Sequence, residues 1–141
     1  MKPQASAFLA KSRELLVRAE TMLGVGLNED AGRTAYLAGL HAAQAIIFET
    51  TGRVFKRHGK VQGEFGRLVK DDPRVEADLR AFLGRTYNLK AIADYETGPA
   101  SKVSAESARD AVQTARRFVE CVAGLLPPNG RTPPAPETPK P

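Results

Sequence analysis

Tryptophan is absent from the 141 residues, cysteine occurs once, and histidine twice. A single thiol, Cys121, cannot close an internal disulfide. It falls on an apolar helical stripe, which points to a buried side chain and not a nucleophile. His41, His58 and Cys121 lie far apart in sequence and show no metal-ligand spacing. No glycine-rich phosphate loop precedes a helix, and no Ser-His-Asp set can be assembled. With aromatics at 6% of the chain, a base-stacking platform for single-stranded nucleic acid is not expected. Long apolar runs are also missing. No stretch reaches the roughly 18 uncharged apolar residues of a membrane span, and Lys11, Arg13 and Glu14 interrupt the N-terminal segment. With one cysteine and no signal peptide, a cytoplasmic location is expected.

The chain does carry charge and helical periodicity. Its net charge is +5 and its pI near 9.6, which favours acidic partners, nucleic acid among them. Basic and acidic residues are nevertheless interleaved, as on an ordinary solvated surface. Apolar residues recur at helical spacing from about Ala5 to Gly24 (Phe8, Leu15, Ala19, Met22, Leu23), where the glycines around Val25 end the helix. A second helix is expected from about Glu29 to Thr51, with Asn28 as its cap. Its middle, AYLAGLHAAQAIIF, is apolar on most faces and rich in small residues, the mark of a central helix. A basic linker runs from Arg53 to Lys60, followed by a short helix from about Val61 to Val69. Asp71-Asp72-Pro73 reads as the start of a fourth helix reaching about Tyr95, which Glu96-Thr97-Gly98-Pro99 ends. Ser104 caps the last helix, whose stripe runs from Ala108 to Leu126. The expected fold is all-α: an up-and-down bundle of four long helices plus one short one. It fills one domain, residues 1–126. Residues 127–141, PPNGRTPPAPETPKP, have too much proline for a helix and too little apolar surface for a core, and are expected to form a disordered tail.

Two polar clusters stand beside helix ends. His58 lies among Lys56, Arg57 and Lys60, where neighbouring positive charge should hold its imidazole neutral. A neutral imidazole amid cations could act as a base beside a phosphate. At the end of the fourth helix, Lys90 and Asp94 are four apart and can pair, and Tyr87 shares their face. His58, Lys90 and Tyr95 are the candidate catalytic residues. Lys56, Arg57, Lys60 and Asp94 are the candidate ligand-binding residues around a shared groove. A solvated loop and a simple Lys90–Asp94 pair are the alternatives. No metal or other cofactor is called for.

Three segments in order resemble the HEPN family, in its branch of small stand-alone bacterial proteins. They are DAGRTAYLAGLHAAQAIIFETTG (Asp30 to Gly52), KRHGKVQGEF (Lys56 to Phe65), and NLKAIADYE followed by VSAESARDAVQTARRFV. The resemblance implies a helical bundle that dimerises. It also implies pairing with a minimal nucleotidyltransferase as a toxin–antitoxin system. Active members of the family are metal-independent ribonucleases with an Arg-x4–6-His signature on a late helix. This chain departs from that signature. Lys90 stands where the basic residue is expected and Tyr95 where the histidine would fall. Lysine lacks the bidentate fork of arginine, and tyrosine is a poor base near neutrality. Arg53 and His58 match the spacing, but in another element. Thr34 occupies the place of the branch's usual arginine, with Arg33 one residue earlier.

Two functions therefore compete. One is a non-catalytic module, a dimer that binds a nucleotidyltransferase and RNA or a nucleotide. The other is a metal-independent ribonuclease. A helical assembly protein with no ligand is the third, blander reading.

Overall fold

The computed structural model describes residues 1–98 and 102–128. Among these residues six helices follow in chain order: α1 (Pro3–Gly24), α2 (Asn28–Thr51), α3 (His58–Val69), α4 (Ala77–Arg80), α5 (Phe82–Tyr95) and α6 (Ala105–Leu125). The bundle is all-helical, with α1, α2, α5 and α6 as its long members. All but the first two residues of the proline-dense 127–141 segment lie outside the described residues.

Helix α2 is the centre of the bundle and packs against α1, α3, α5 and α6. Its small residues serve this role. Ala31, Ala35, Ala38, Ala42 and Ala45 are all fully buried. On the α1 side, the buried Ser12 hydroxyl donates to the Ala38 carbonyl at 2.7 Å. On the α5 side, Gly32 and Gly39 are seven apart and share a face. They receive Leu89 and Phe82, also seven apart. A Cβ on Gly39 would collide with Cε2 of the Phe82 ring. The Phe82 ring in turn packs on Phe118 of α6, with centroids 5.0 Å apart. The amphipathic α6 buries the expected stripe, from Ala108 through Val122. Its Ser104 cap accepts from the Ser107 N–H at 3.0 Å.

Four element boundaries differ from the sequence reading. Asn28 does not cap α2; it lies inside the first turn, and Leu27 holds the cap position without a side-chain bond. Helix α1 ends in a Schellman turn, with Gly26 at φ 82°. There Leu27 N–H reaches the Met22 carbonyl at 2.9 Å and Gly26 N–H reaches that of Leu23 at 3.1 Å. That turn delivers the chain directly into α2. Asp71-Asp72-Pro73 does not open a helix. Asp72 instead folds back on Arg74, accepting from its N–H at 2.9 Å and from its guanidinium. This turn inserts Val75 into the core, and the helix begins only at Ala77. It is also broken at Ala81, so the expected fourth helix is the short α4 followed by α5. Finally, His58 is the first residue of α3, not part of the linker.

Candidate functional site

The site begins with a loop that is pinned from within. Gln44, buried on α2, donates to the Phe55 carbonyl at 2.9 Å. This fixes the α2–α3 connection just before His58. The Phe55 ring lies under two cations, Arg53 Cζ at 4.8 Å and Lys60 Nζ at 5.7 Å from its centroid. Lys60 therefore belongs to this aromatic cluster. The side chains of Lys56 and Arg57 are exposed.

His58 turns towards α2. Its Nδ1 lies 2.8 Å from the hydroxyl of Tyr36, whose ring is fully buried. The same hydroxyl accepts from Gln62 Nε2 at 3.2 Å. The Tyr36 and His58 rings stack at 5.6 Å. Tyr87 from α5 meets Tyr36 edge-on at 5.5 Å and His58 at 5.7 Å. The helical spacing of α5 puts Lys90 and Asp94 on the Tyr87 face. Asp94 is gripped from two sides. Lys90 Nζ donates to Oδ2 at 2.6 Å, and Arg33 Nε of α2 donates to Oδ1 at 2.7 Å. Lys90 also lies 5.4 Å from the Tyr95 ring centroid. The Lys90 side chain is only 12% exposed and Asp94 21%, so this pair is better shielded from solvent than an ordinary surface bridge.

The charges follow from these contacts. The Lys90 hydrogen bond, with that of Arg33, holds the Asp94 carboxyl below its usual range; Asp94 in turn raises Lys90. Burial pushes Tyr36 up to about 12, so it keeps its hydrogen near neutrality. His58 is held below its ordinary value, the direction expected from sequence, but the cause differs. Burial is foremost and the charge of Lys90 second, with Asp94 opposing. His41, on another part of α2, stacks on Phe8 at 6.1 Å and is lowered by burial too.

Of the residues singled out in the sequence, the fold brings His58, Lys90, Asp94 and Tyr95 together. Lys60 goes to the Phe55 cluster, and Lys56 and Arg57 stand in the exposed loop. Sequence reasoning missed Tyr36, Gln62 and Tyr87 as polar or aromatic partners of His58. It also gave Arg33 no place. Tyr36 looked like core because it sits in the Ala-Tyr pair of an apolar helix. Its spacing from Arg33, three residues, was the available signal. Thr34, in the position of the family's usual arginine, is buried and bonds Met22 Sδ at 3.4 Å.

A separate cleft between α5 and α6, about 170 Å³, has a floor of Phe82, Leu89 and Ala111 and a rim including Arg85 and Asp110. It opens on a different face of α5 from Lys90 and Asp94. Among the described residues, no cluster of three or more His, Cys, Asp or Glu side chains could hold a metal ion. No described helix is long and apolar enough to cross a membrane.

The HEPN domain family model matches residues 5–125. A protein of Methanocaldococcus jannaschii named as a candidate toxin is 28% identical over 126 residues, covering 89% of this chain and 91% of that protein. The crystal structure of TT1696 from Thermus thermophilus superposes with a TM-score of 0.73. It covers 89% of this chain and all of that one at 22% identity, and so is similar in fold.

Proposed function

The chain belongs to the HEPN domain family, and we propose that it serves as the HEPN half of a toxin–antitoxin-type pair. In this reading it engages a minimal nucleotidyltransferase in the cytoplasm as a homodimer. It binds RNA or a nucleotide through Arg33, His58 and Lys90. The kinship with a candidate toxin of similar length supports the toxin-type role. One observation carries the binding reading: Asp94 holds two cations, from different helices, side by side next to a neutral imidazole. Two cations against one carboxylate leave a net positive charge. Lys90 keeps hydrogens free for a second acceptor, and Arg33 keeps its terminal nitrogens. That arrangement suits a phosphate group.

Titration with a short RNA and with nucleotides at low salt tests it. Binding should weaken as salt rises, because counterion release contributes less. Replacing Arg33 and Lys90 together by Ala should weaken binding at least tenfold. Replacing exposed Lys56 and Arg57 together should have a smaller effect. Unchanged affinity in the Arg33/Lys90 variant would overturn the assignment. Assaying the same RNA for cleavage in EDTA addresses the ribonuclease alternative, in which His58, Lys90 or Tyr95 would be catalytic.

A further inference from the structure

The Tyr36 hydroxyl has one hydrogen to give and two neighbours. Gln62 Nε2 carries only hydrogens, so at 3.2 Å it donates to the Tyr36 oxygen. The hydroxyl hydrogen is then free to point at His58 Nδ1, 2.8 Å away. A nitrogen that accepts a hydrogen bond carries no hydrogen of its own. Were Nδ1 to carry the hydrogen and donate to the Tyr36 oxygen, the buried Tyr36 hydroxyl hydrogen would have no acceptor among the described residues, a costly arrangement; the neutral imidazole therefore holds its hydrogen on Nε2. Among the described residues, Nε2 has no protein partner, and His58 is half-buried. We infer that the Gln62–Tyr36–His58 relay fixes His58 as an Nε2–H donor, which takes an anionic phosphate oxygen and does not abstract a proton. Tyr36 and Gln62 are then positioning residues for that donor.

Several features of the site agree. Tyr36 is fully buried and packed between His58 and Tyr87, so its hydroxyl cannot swing away. Gln62 and His58 are four apart on α3 and share one face. The groups facing the imidazole are Tyr36, Tyr87, Lys90 and Asp94. Lys90, a cation, favours an anion beside the ring, and Asp94 is already occupied by Lys90 and Arg33. A base would need a lone pair directed at its substrate. The relay points the only lone pair of the ring inward.

The ligand part of this inference rests on the binding reading above; the relay part does not. The test is nitrogen NMR of the full chain with labelled histidine, at a pH above the imidazole range. The wild type should show His58 protonated at Nε2 and bare at Nδ1. Gln62→Glu places an acceptor where the donor was. The Tyr36 hydrogen should turn to the carboxylate, and the Tyr36 oxygen should then accept from Nδ1–H. The His58 tautomer should switch, and inorganic phosphate should bind roughly tenfold more weakly, the scale of one hydrogen bond to a charged group. In the Tyr36→Phe background, which keeps the core volume, Gln62→Glu should no longer move the tautomer. A wild-type signal with the hydrogen on Nδ1, or a Gln62→Glu variant with an unchanged tautomer, would overturn the relay. Correct tautomer behaviour without phosphate or RNA binding at low salt would support the relay and overturn its role in binding, along with the binding reading.

Discussion

Asp94 shows how one side chain sets the character of the site. Its carboxylate sits between Lys90 and Arg33 and cancels one of their two charges. Replacing Asp94 with Asn keeps the shape and removes the negative charge. On the binding reading, RNA affinity should rise several-fold and its salt dependence should steepen, as one more phosphate is neutralised. Fluorescence anisotropy across a salt series measures both. The two histidines give a second residue-scale expectation. Both are held below their ordinary value of 6.5, His41 by burial with Lys11 adding and Gln44 opposing, and His58 by burial and Lys90. The unfolded chain then takes up protons at a higher pH than the folded one. Their contribution is intact above the unfolded value and is lost as pH falls through it towards the folded values. Thermal midpoints should decline from about pH 7.5 downward, and a His41→Gln/His58→Gln double variant should show a shallower decline across that window.

At the scale of elements, α2 and α5 approach closely at two glycines of α2. Gly39 lies against the buried ring of Phe82, which Phe118 backs. Ala at 39 would gain up to about 1 kcal/mol of helix propensity. It would also force a rigid ring to move, at a cost of about 1–3 kcal/mol. Gly39→Ala should therefore lower the thermal midpoint by several degrees. Gly32→Ala meets only Leu89, at 3.2 Å or more. Leu89 is partly buried and can shift, so this variant should be near neutral. Equal effects in the two variants would show that the close approach at Gly39 is not what matters. The Ser104 cap offers a simpler check on α6: Ser104→Ala should cost about 1 kcal/mol in chemical denaturation.

At the scale of the whole molecule, the small residues of α2 are consumed inside one protomer, against α1 and α5. They give no separate support to self-association. The dimer expectation rests on family membership and on the exposed Tyr87 and Tyr95 at the candidate site. Light scattering at micromolar concentration should give twice the 15.2 kDa chain mass; a monomer would count against a site shared between copies. Removing residues 127–141 should leave the thermal midpoint within a few degrees, because Leu126, the residue that caps the C-terminus of α6, is the last buried one among the described residues.

The sequence by itself determined the helical fold, the central place of α2, the stripe and cap of α6, and the Lys90–Asp94 pair. These follow from local spacing: a period near 3.6 and an i, i+4 offset act within one helix, and tertiary structure only uses them. The boundaries at Asn28 and Asp72 depart from the sequence pattern because a Schellman turn and a side-chain turn compete there with ordinary capping, and composition does not rank the two. Only the tertiary structure decided which residues meet across helices. Tyr36 and His58 are 22 apart, Arg33 and Asp94 are 61 apart, and no periodicity links them. Tyr36 could be recognised as a polar partner only after folding set its hydroxyl against His58. An apolar helix hides the one polar atom of a buried ring until the neighbour that binds it is known.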